Sequence, residues 1–326
     1  MSIRFGLALP HYAYSLPHRS GGTLGSAPSW TGLLEVARWA EDVGFASLWM
    51  SDHVYLDLSK YGGTRDRYSS FEYTATLGAL SQATNKVDLG VLVACSVLRP
   101  PAVLARSAET IASGSGRRFW LGLGAGWYPP DFEAAGVPFG SASQRLARLK
   151  TTTELVSRFI RSQYPVTTIV GGKGGPKLLE IAALYADGWN VSWAISPRSL
   201  SAKVALLREL RDRAGRSRTH DHGLEVPYVS VGLTCLVAKN EKLLRTRFFE
   251  MMEEFKLRSP ESPETLYEEA KTSRLICTTA QLTDRIDLYH RAGASEIVCG
   301  FGPVPFSFWK LGVAEEFIEA AGLGRS

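Results

Sequence analysis

The chain has 326 residues, of which 45% are hydrophobic and 21% charged, and a formal net charge of +5. The proportions are those of a globular chain and exclude both intrinsic disorder and a membrane composition. Lys and Arg are dispersed and no recognition motif accompanies them, so the positive balance reads as a solvated surface that mildly favours anionic cofactors. On this reading the partner is a small organic molecule, not nucleic acid or a membrane.

The apolar stretch near the N-terminus, Ile3 to Pro10, is too short for a secretory signal, which predicts a cytoplasmic protein, and Ile3 to Leu9 reads as the first strand. An amphipathic helix follows from Trp30 to Val43, stopped by Gly44, and then a second strand-like run from Ser47 to Met50. The alternation continues: helix Phe71 to Gln82, strand Val87 to Val93, helix Pro101 to Ala112, strand Phe119 to Leu123, helix Gln144 to Ile160, strand Thr167 to Val170. Helix Lys177 to Tyr185, strand Trp189 to Trp193, helix Pro197 to Arg213 and strand Val229 to Val237 come next, and the last strand is Glu296 to Gly300. Strands alternating with helices predict a parallel sheet buried on both faces, and eight such units close most economically into a (β/α)8 TIM-like barrel. A doubly wound sheet is disfavoured because the first strand runs into Pro10-His11-Tyr12 and a long loop without a glycine fingerprint. The stretch Glu241 to Thr279 holds more helix than one crossover needs, which predicts an extra helical excursion between strands seven and eight. No linker-like composition divides the chain, so residues 1–326 are read as one barrel domain. Cys95, Cys235, Cys277 and Cys299 show no CxxC pair, which predicts reduced thiols and no zinc site.

In such a barrel, chemistry collects just after each strand. Those positions hold His11, Ser51-Asp52-His53, Cys95, Gly124 to Trp127, Gly171 to Gly175 with Lys173, and Asn190 with Trp193. His53 follows its strand directly beside an acid, and imidazole suits proton transfer near neutral pH; the alternative is a histidine that only caps its loop. Gly171 to Gly175 followed by Pro176 reads either as a phosphate cradle at a helix start or as a tight βα turn. The glycines of Gly122-x-Gly124-x-Gly126 are read as letting something flat or anionic approach the backbone, since Pro129 and Pro130 follow instead of a helix. Trp127 is a core anchor or a pocket wall. His220-x-His222 reads as a solvated loop, and neither His18 nor His290 draws a role.

With these residues in place, the sequence resembles the luciferase-like monooxygenase superfamily, and in particular its branch that uses the deazaflavin coenzyme F420. The supporting segments are Ala40 to Phe45 leading into Leu48 to His53, Leu80 to Gly90, Arg99 to Ala105, and Gly122 to Trp127 with Asp131-Phe132. Gly136 to Phe139, Ile169 to Gly172 and Ala186 to Trp189 add to them. The resemblance implies a homodimer with a flavin-type ring in the barrel mouth. It puts Asp52 and His53 beside the ring, and Leu92, Val93 and Cys95 under it, at a distorted strand end with a cis Leu92–Val93 peptide. Gly124, Gly126 and Trp127, the loop Gly171, Gly172, Lys173 and Gly174, and His11 complete the implied cofactor contacts. The implied reaction is hydride transfer between the deazaflavin C5 and a small organic substrate, with His53 moving the matching proton. An FMN-dependent monooxygenase supplied by a separate reductase is the alternative, and a non-catalytic flavin-binding barrel a second one. Two features depart from the family pattern: Val97 stands where relatives often carry proline, and the connection from Phe159 to Thr167 is short. The second predicts an open substrate mouth, unless residues are absent from the chain.

Overall fold

The computed structural model describes residues 3–16, 28–216 and 223–324. His18 and the His220/His222 pair lie outside them.

Eight parallel strands form the barrel: β1 (Arg4–Ala8), β2 (Ser47–Met50), β3 (Asp88–Cys95), β4 (Phe119–Gly124), β5 (Val166–Gly171), β6 (Gly188–Trp193), β7 (Tyr228–Ala238) and β8 (Glu296–Gly300). Each pairs with the next, and β8 pairs with β1 in the register Glu296 to Arg4, so the sheet closes. The surrounding helices include α1 (Trp30–Asp42), α2 (Tyr73–Ala83), α3 (Pro101–Ser115), α4 (Pro129–Ala134), α5 (Ala142–Phe159), α6 (Pro176–Tyr185) and α7 (Pro197–Arg213). Between β7 and β8 the chain makes α8 (Glu241–Glu254), α9 (Pro263–Ser273) and α10 (Leu282–Arg291), and α11 (Leu311–Ala321) follows β8. The predicted excursion is therefore present, but it also contains a strand, Leu275–Thr278, which pairs with the far end of β7.

Strand side chains alternate between two faces that are both buried, which explains why most strand residues are apolar. Leu48, Met50, Leu121 and Leu123 face the helices, whereas Trp49, Trp120, Ile169 and Val298 point inward. The inward tryptophans plug the lower barrel: Trp49 and Trp120 have ring centroids 6.0 Å apart, and Trp120 lies 4.3 Å from Tyr228. Gly90 makes room for them, since a Cβ there would meet the Trp49 ring at 2.5 Å. Glu296 is fully buried in the same layer and accepts hydrogen bonds from Ser47 and Tyr228. With the bottom filled, a cavity opens at the C-terminal strand ends.

Three features differ from the sequence reading. Pro129 and Pro130 do not replace a helix; they begin α4, because proline fits the first turn, where its missing N–H has no partner to lose. The connection 160–165 lies at the opposite end of the barrel from the mouth, where Phe119 N donates to Pro165 O at the start of β4, so its shortness has no bearing on how open the mouth is. Thirdly, a two-stranded hairpin, Tyr55–Leu56 with Tyr68–Ser69, and a 3-10 turn, Ser59–Tyr61, fold between β2 and α2. Strands of two residues carry too little pattern to read from sequence. Among the described residues no helix is long and apolar enough to cross a membrane.

Candidate active site

The space above the plug is a cavity of about 330 Å³ whose lining comes from the C-terminal ends of the strands and the loops after them. Ser51, Asp52 and His53 line it after β2, Leu92, Val93 and Cys95 at the end of β3, and Gly124 to Trp127 after β4. Gly171 to Lys173, Asn190, Ser192, Trp193 and the Pro305–Phe306 pair after β8 complete most of the ring, with Lys60 and Tyr61 from the turn after β2. Trp127 is 40% exposed and forms part of this wall, not a core anchor.

His53 is oriented by a carboxylate, but not by its sequence neighbour. Its Nδ1 lies 2.7 Å from Asp131 Oδ2, while Asp131 Oδ1 accepts from the Val54 amide at 3.2 Å. A carboxylate facing Nδ1 calls for the proton on that atom, which leaves Nε2 as the nitrogen free to exchange a proton. Trp127 and Tyr128 pack edge-on against the ring at 5.5 and 5.8 Å. Asp52 turns away from the imidazole, and its Oδ2 takes hydrogen bonds from Arg99 at 2.6 Å and from the Cys95 amide at 3.0 Å. Burial holds its pKa above the usual carboxylate range, against the pull of Arg99. The acid that orients His53 is thus Asp131 and not its neighbour Asp52; the two prolines before Asp131 hide its helix in the sequence.

His11 is also relocated. It is fully buried, off the cavity wall, with Nε2 accepting from the Ser51 amide at 3.1 Å and its ring 4.2 Å from Tyr12. Burial, and then His53, lower its pKa to about 3, so it is neutral, with its proton on a buried Nδ1 that has no partner among the described residues. It supports Ser51, whose hydroxyl hydrogen-bonds to Tyr12 on the cavity wall. Cys95 is a protonated thiol, since burial pushes its pKa up to about 12.

The glycines serve two purposes. A Cβ on Gly124 or Gly171 would meet Val93 at 2.3 or 2.4 Å, so their missing side chains make space for Val93, not for a ligand. Val93 arrives there because β3 shifts register between Val91 and Ala94, and the Leu92–Val93 peptide is cis, as the resemblance implied; Ser192–Trp193 is also cis. In the loop after β5, Trp189 Nε1 and Lys203 Nζ hold the carbonyls of Gly172 and Gly174 at 3.0 and 2.9 Å. The amides of Lys173, Gly174 and Gly175, just before α6, have no acceptor among the described residues. Gly174 itself faces Trp189 and Lys203 instead of the cavity. Gly172 has φ +153° and a Cβ there would meet Leu178 at 2.4 Å, so a side chain at this position disturbs the fold as well as the cavity.

Residues 11–296 match the profile of the luciferase-like monooxygenase family. The chain belongs to that family. It is 28% identical over 218 residues to an uncharacterised protein of Mycobacterium tuberculosis, a match covering 56% of this chain and 73% of that one. Among solved structures, an F420-dependent secondary alcohol dehydrogenase in complex with an F420-acetone adduct superposes with a TM-score of 0.68 at 19% identity, covering 98% of this chain and 99% of that one. A riboflavin lyase with modified FMN and riboflavin superposes with a TM-score of 0.70 at 13% identity, covering 98% and 90%. At such identities these structures show the shared fold.

Members of this family are oxidoreductases and monooxygenases, and the cavity fits a flavin-type group on its own chemistry. Its walls at Leu92, Val93, Trp127, Trp193 and Phe306 are apolar and suit a flat ring. At one end, the unpaired amides of the loop before α6 and the ammonium of Lys173 suit an anionic tail.

Proposed function

We propose that this family member is a coenzyme F420-dependent oxidoreductase that transfers a hydride between the deazaflavin and a small organic substrate, in the direction of reducing an unsaturated or carbonyl compound. The observation that carries the reading is the His53–Asp131 pair on the cavity wall, a positioned acid and base beside an apolar slot. The structural neighbour that covers 99% of its own length is itself an F420-dependent alcohol dehydrogenase, which supports the same choice. The bound deazaflavin would contribute hydride donation or acceptance at C5 and nothing else.

The chain's own residues do the rest. Leu92, Val93 and Cys95 would back the ring, and the Gly171 to Lys173 stretch would hold its side chain and phosphate. Protonated beside Asp131, His53 would give its Nε2 proton to the oxygen of a carbonyl substrate, and in the reverse direction Asp131 would keep the neutral ring in the tautomer whose Nε2 accepts a proton. Trp127 and Trp193 limit water around the reacting atoms.

A second reading, an FMN-dependent monooxygenase, is favoured by the neighbour that holds modified FMN. Titrating the apoprotein with F420 and with FMN, followed by tryptophan fluorescence, separates the two. The proposed function requires tighter binding of F420, and a clear preference for FMN overturns it. A homodimer belongs to the same reading, and sedimentation velocity measures it directly.

A further inference from the structure

The turn that follows β2 carries a cation which the proposed reaction does not use. Lys60 lines the cavity together with Lys173 from the loop before α6. Its Nζ lies 3.6 Å from the centroid of the Trp127 ring, a contact that holds an ammonium in place without neutralising it. Neither lysine makes an ion pair among the described residues. The nearby acids are already engaged: Asp52 with Arg99 and the Cys95 amide, Asp131 with His53 and the Val54 amide, and Asp57 with Ser59 and Tyr128.

The two ammonium groups also feel each other. Both line the same cavity, and burial first, then the charge of Lys173, lower the pKa of Lys60. Like charges gathered without a counter-charge oppose folding, and they become favourable when an anion sits between them.

We propose that Lys60 and Lys173 form a two-point clamp for one anionic group, a phosphate or a carboxylate, of a ligand bound in the cavity. Lys173 enters the cavity from the loop before α6 and Lys60 from the turn after β2, where it rests on Trp127. The anion comes either from the cofactor's phosphate or from an anionic substrate. Only that choice rests on the function proposed above; the clamp is a property of the two side chains.

The test begins with inorganic phosphate titrated into the apoprotein, read by calorimetry and by tryptophan fluorescence. Lys60→Gln and Lys173→Gln should each weaken phosphate binding about tenfold or more, and Lys60→Arg should restore it to within about threefold, since a guanidinium also binds phosphate. The same proteins are then titrated with F420 and with its phosphate-free deazariboflavin fragment. If the cofactor supplies the anion, Lys60→Gln weakens F420 about tenfold and leaves the fragment unchanged, and bound F420 abolishes phosphate binding. If the substrate supplies it, the F420-loaded protein still binds phosphate in a Lys60-dependent way. Absence of phosphate binding to the wild type, or equal binding by wild type and Lys60→Gln, overturns the clamp. Lys60-dependent phosphate binding in a protein that ignores F420 supports the clamp and sinks the deazaflavin reading instead.

Discussion

Replacing Asp131 by asparagine changes little in shape and inverts the hydrogen-bonding logic around His53. The two carboxylate oxygens serve two donors, His53 Nδ1–H at 2.7 Å and Val54 N–H at 3.2 Å, and Asp131 is 1% exposed, so water does not substitute for either. Asparagine has one acceptor and one donor group. The Val54 amide has no alternative form, so it keeps the carbonyl oxygen, and the side-chain NH2 then faces His53 Nδ1. His53 answers by carrying its proton on Nε2 alone, and the ring protonated at both nitrogens, which gives up the Nε2 proton in the proposed direction, loses the anion that favours it. One charge-assisted hydrogen bond becomes neutral, at a cost of about 2 kcal/mol. With an unfolding entropy on the order of 0.7 kcal/mol per kelvin for a chain of this length, the melting temperature drops by only about 3 °C. Turnover should fall by about 10²- to 10⁴-fold, the range of a positioned acid or base, while F420 affinity stays within a few-fold. Long-range proton–nitrogen NMR on histidine-labelled protein assigns the tautomer directly. If Asp131→Asn retains the Nδ1–H form of His53, or turns over at the wild-type rate, the proton-transfer role assigned to this pair is wrong.

Three further outcomes follow from the same geometry. His53→Ala should bind F420 within a few-fold of wild type and lose about 10²- to 10⁴-fold in turnover; an unchanged rate makes the histidine a structural cap. Gly171→Ala places a Cβ 2.4 Å from Val93 Cγ1 and should destabilise by about 1 to 3 kcal/mol in urea unfolding, and Val93→Ala in the same chain should recover much of that loss; no recovery means that another contact sets the cost. His11 has a folded pKa of about 3 against about 6.5 unfolded, so below pH 6.5 the unfolded chain binds a proton that the native one refuses, and stability falls with acidity. Relative to His11→Gln, the wild type should therefore lose about 2 kcal/mol between pH 7 and pH 5; parallel pH profiles for the two proteins would show that His11 is protonated in the fold.

The barrel and the ring of residues at its mouth were legible in the sequence because both rest on local rules. Apolar runs such as Ser47–Met50, set between helical repeats, leave a parallel sheet few alternatives, and in a barrel the residue after each strand must face the mouth. His53, Trp127, Gly172 and Lys173 were found on that ground. What lies between strands was not local. Asp131 reaches His53 across 78 positions of sequence, from a helix whose opening prolines resemble a break. Asp52 was drawn away from its neighbour by Arg99, 47 positions on. The space at Gly124 and Gly171 belongs to Val93, since a bulge in a neighbouring strand turns that side chain inward. Hydrophobic periodicity fixes which face of an element is buried. Which polar group pairs with which is set by desolvation, since a buried donor or acceptor left unpaired is costly and most pair wherever the closed barrel brings a partner near, and only the tertiary structure specifies that proximity.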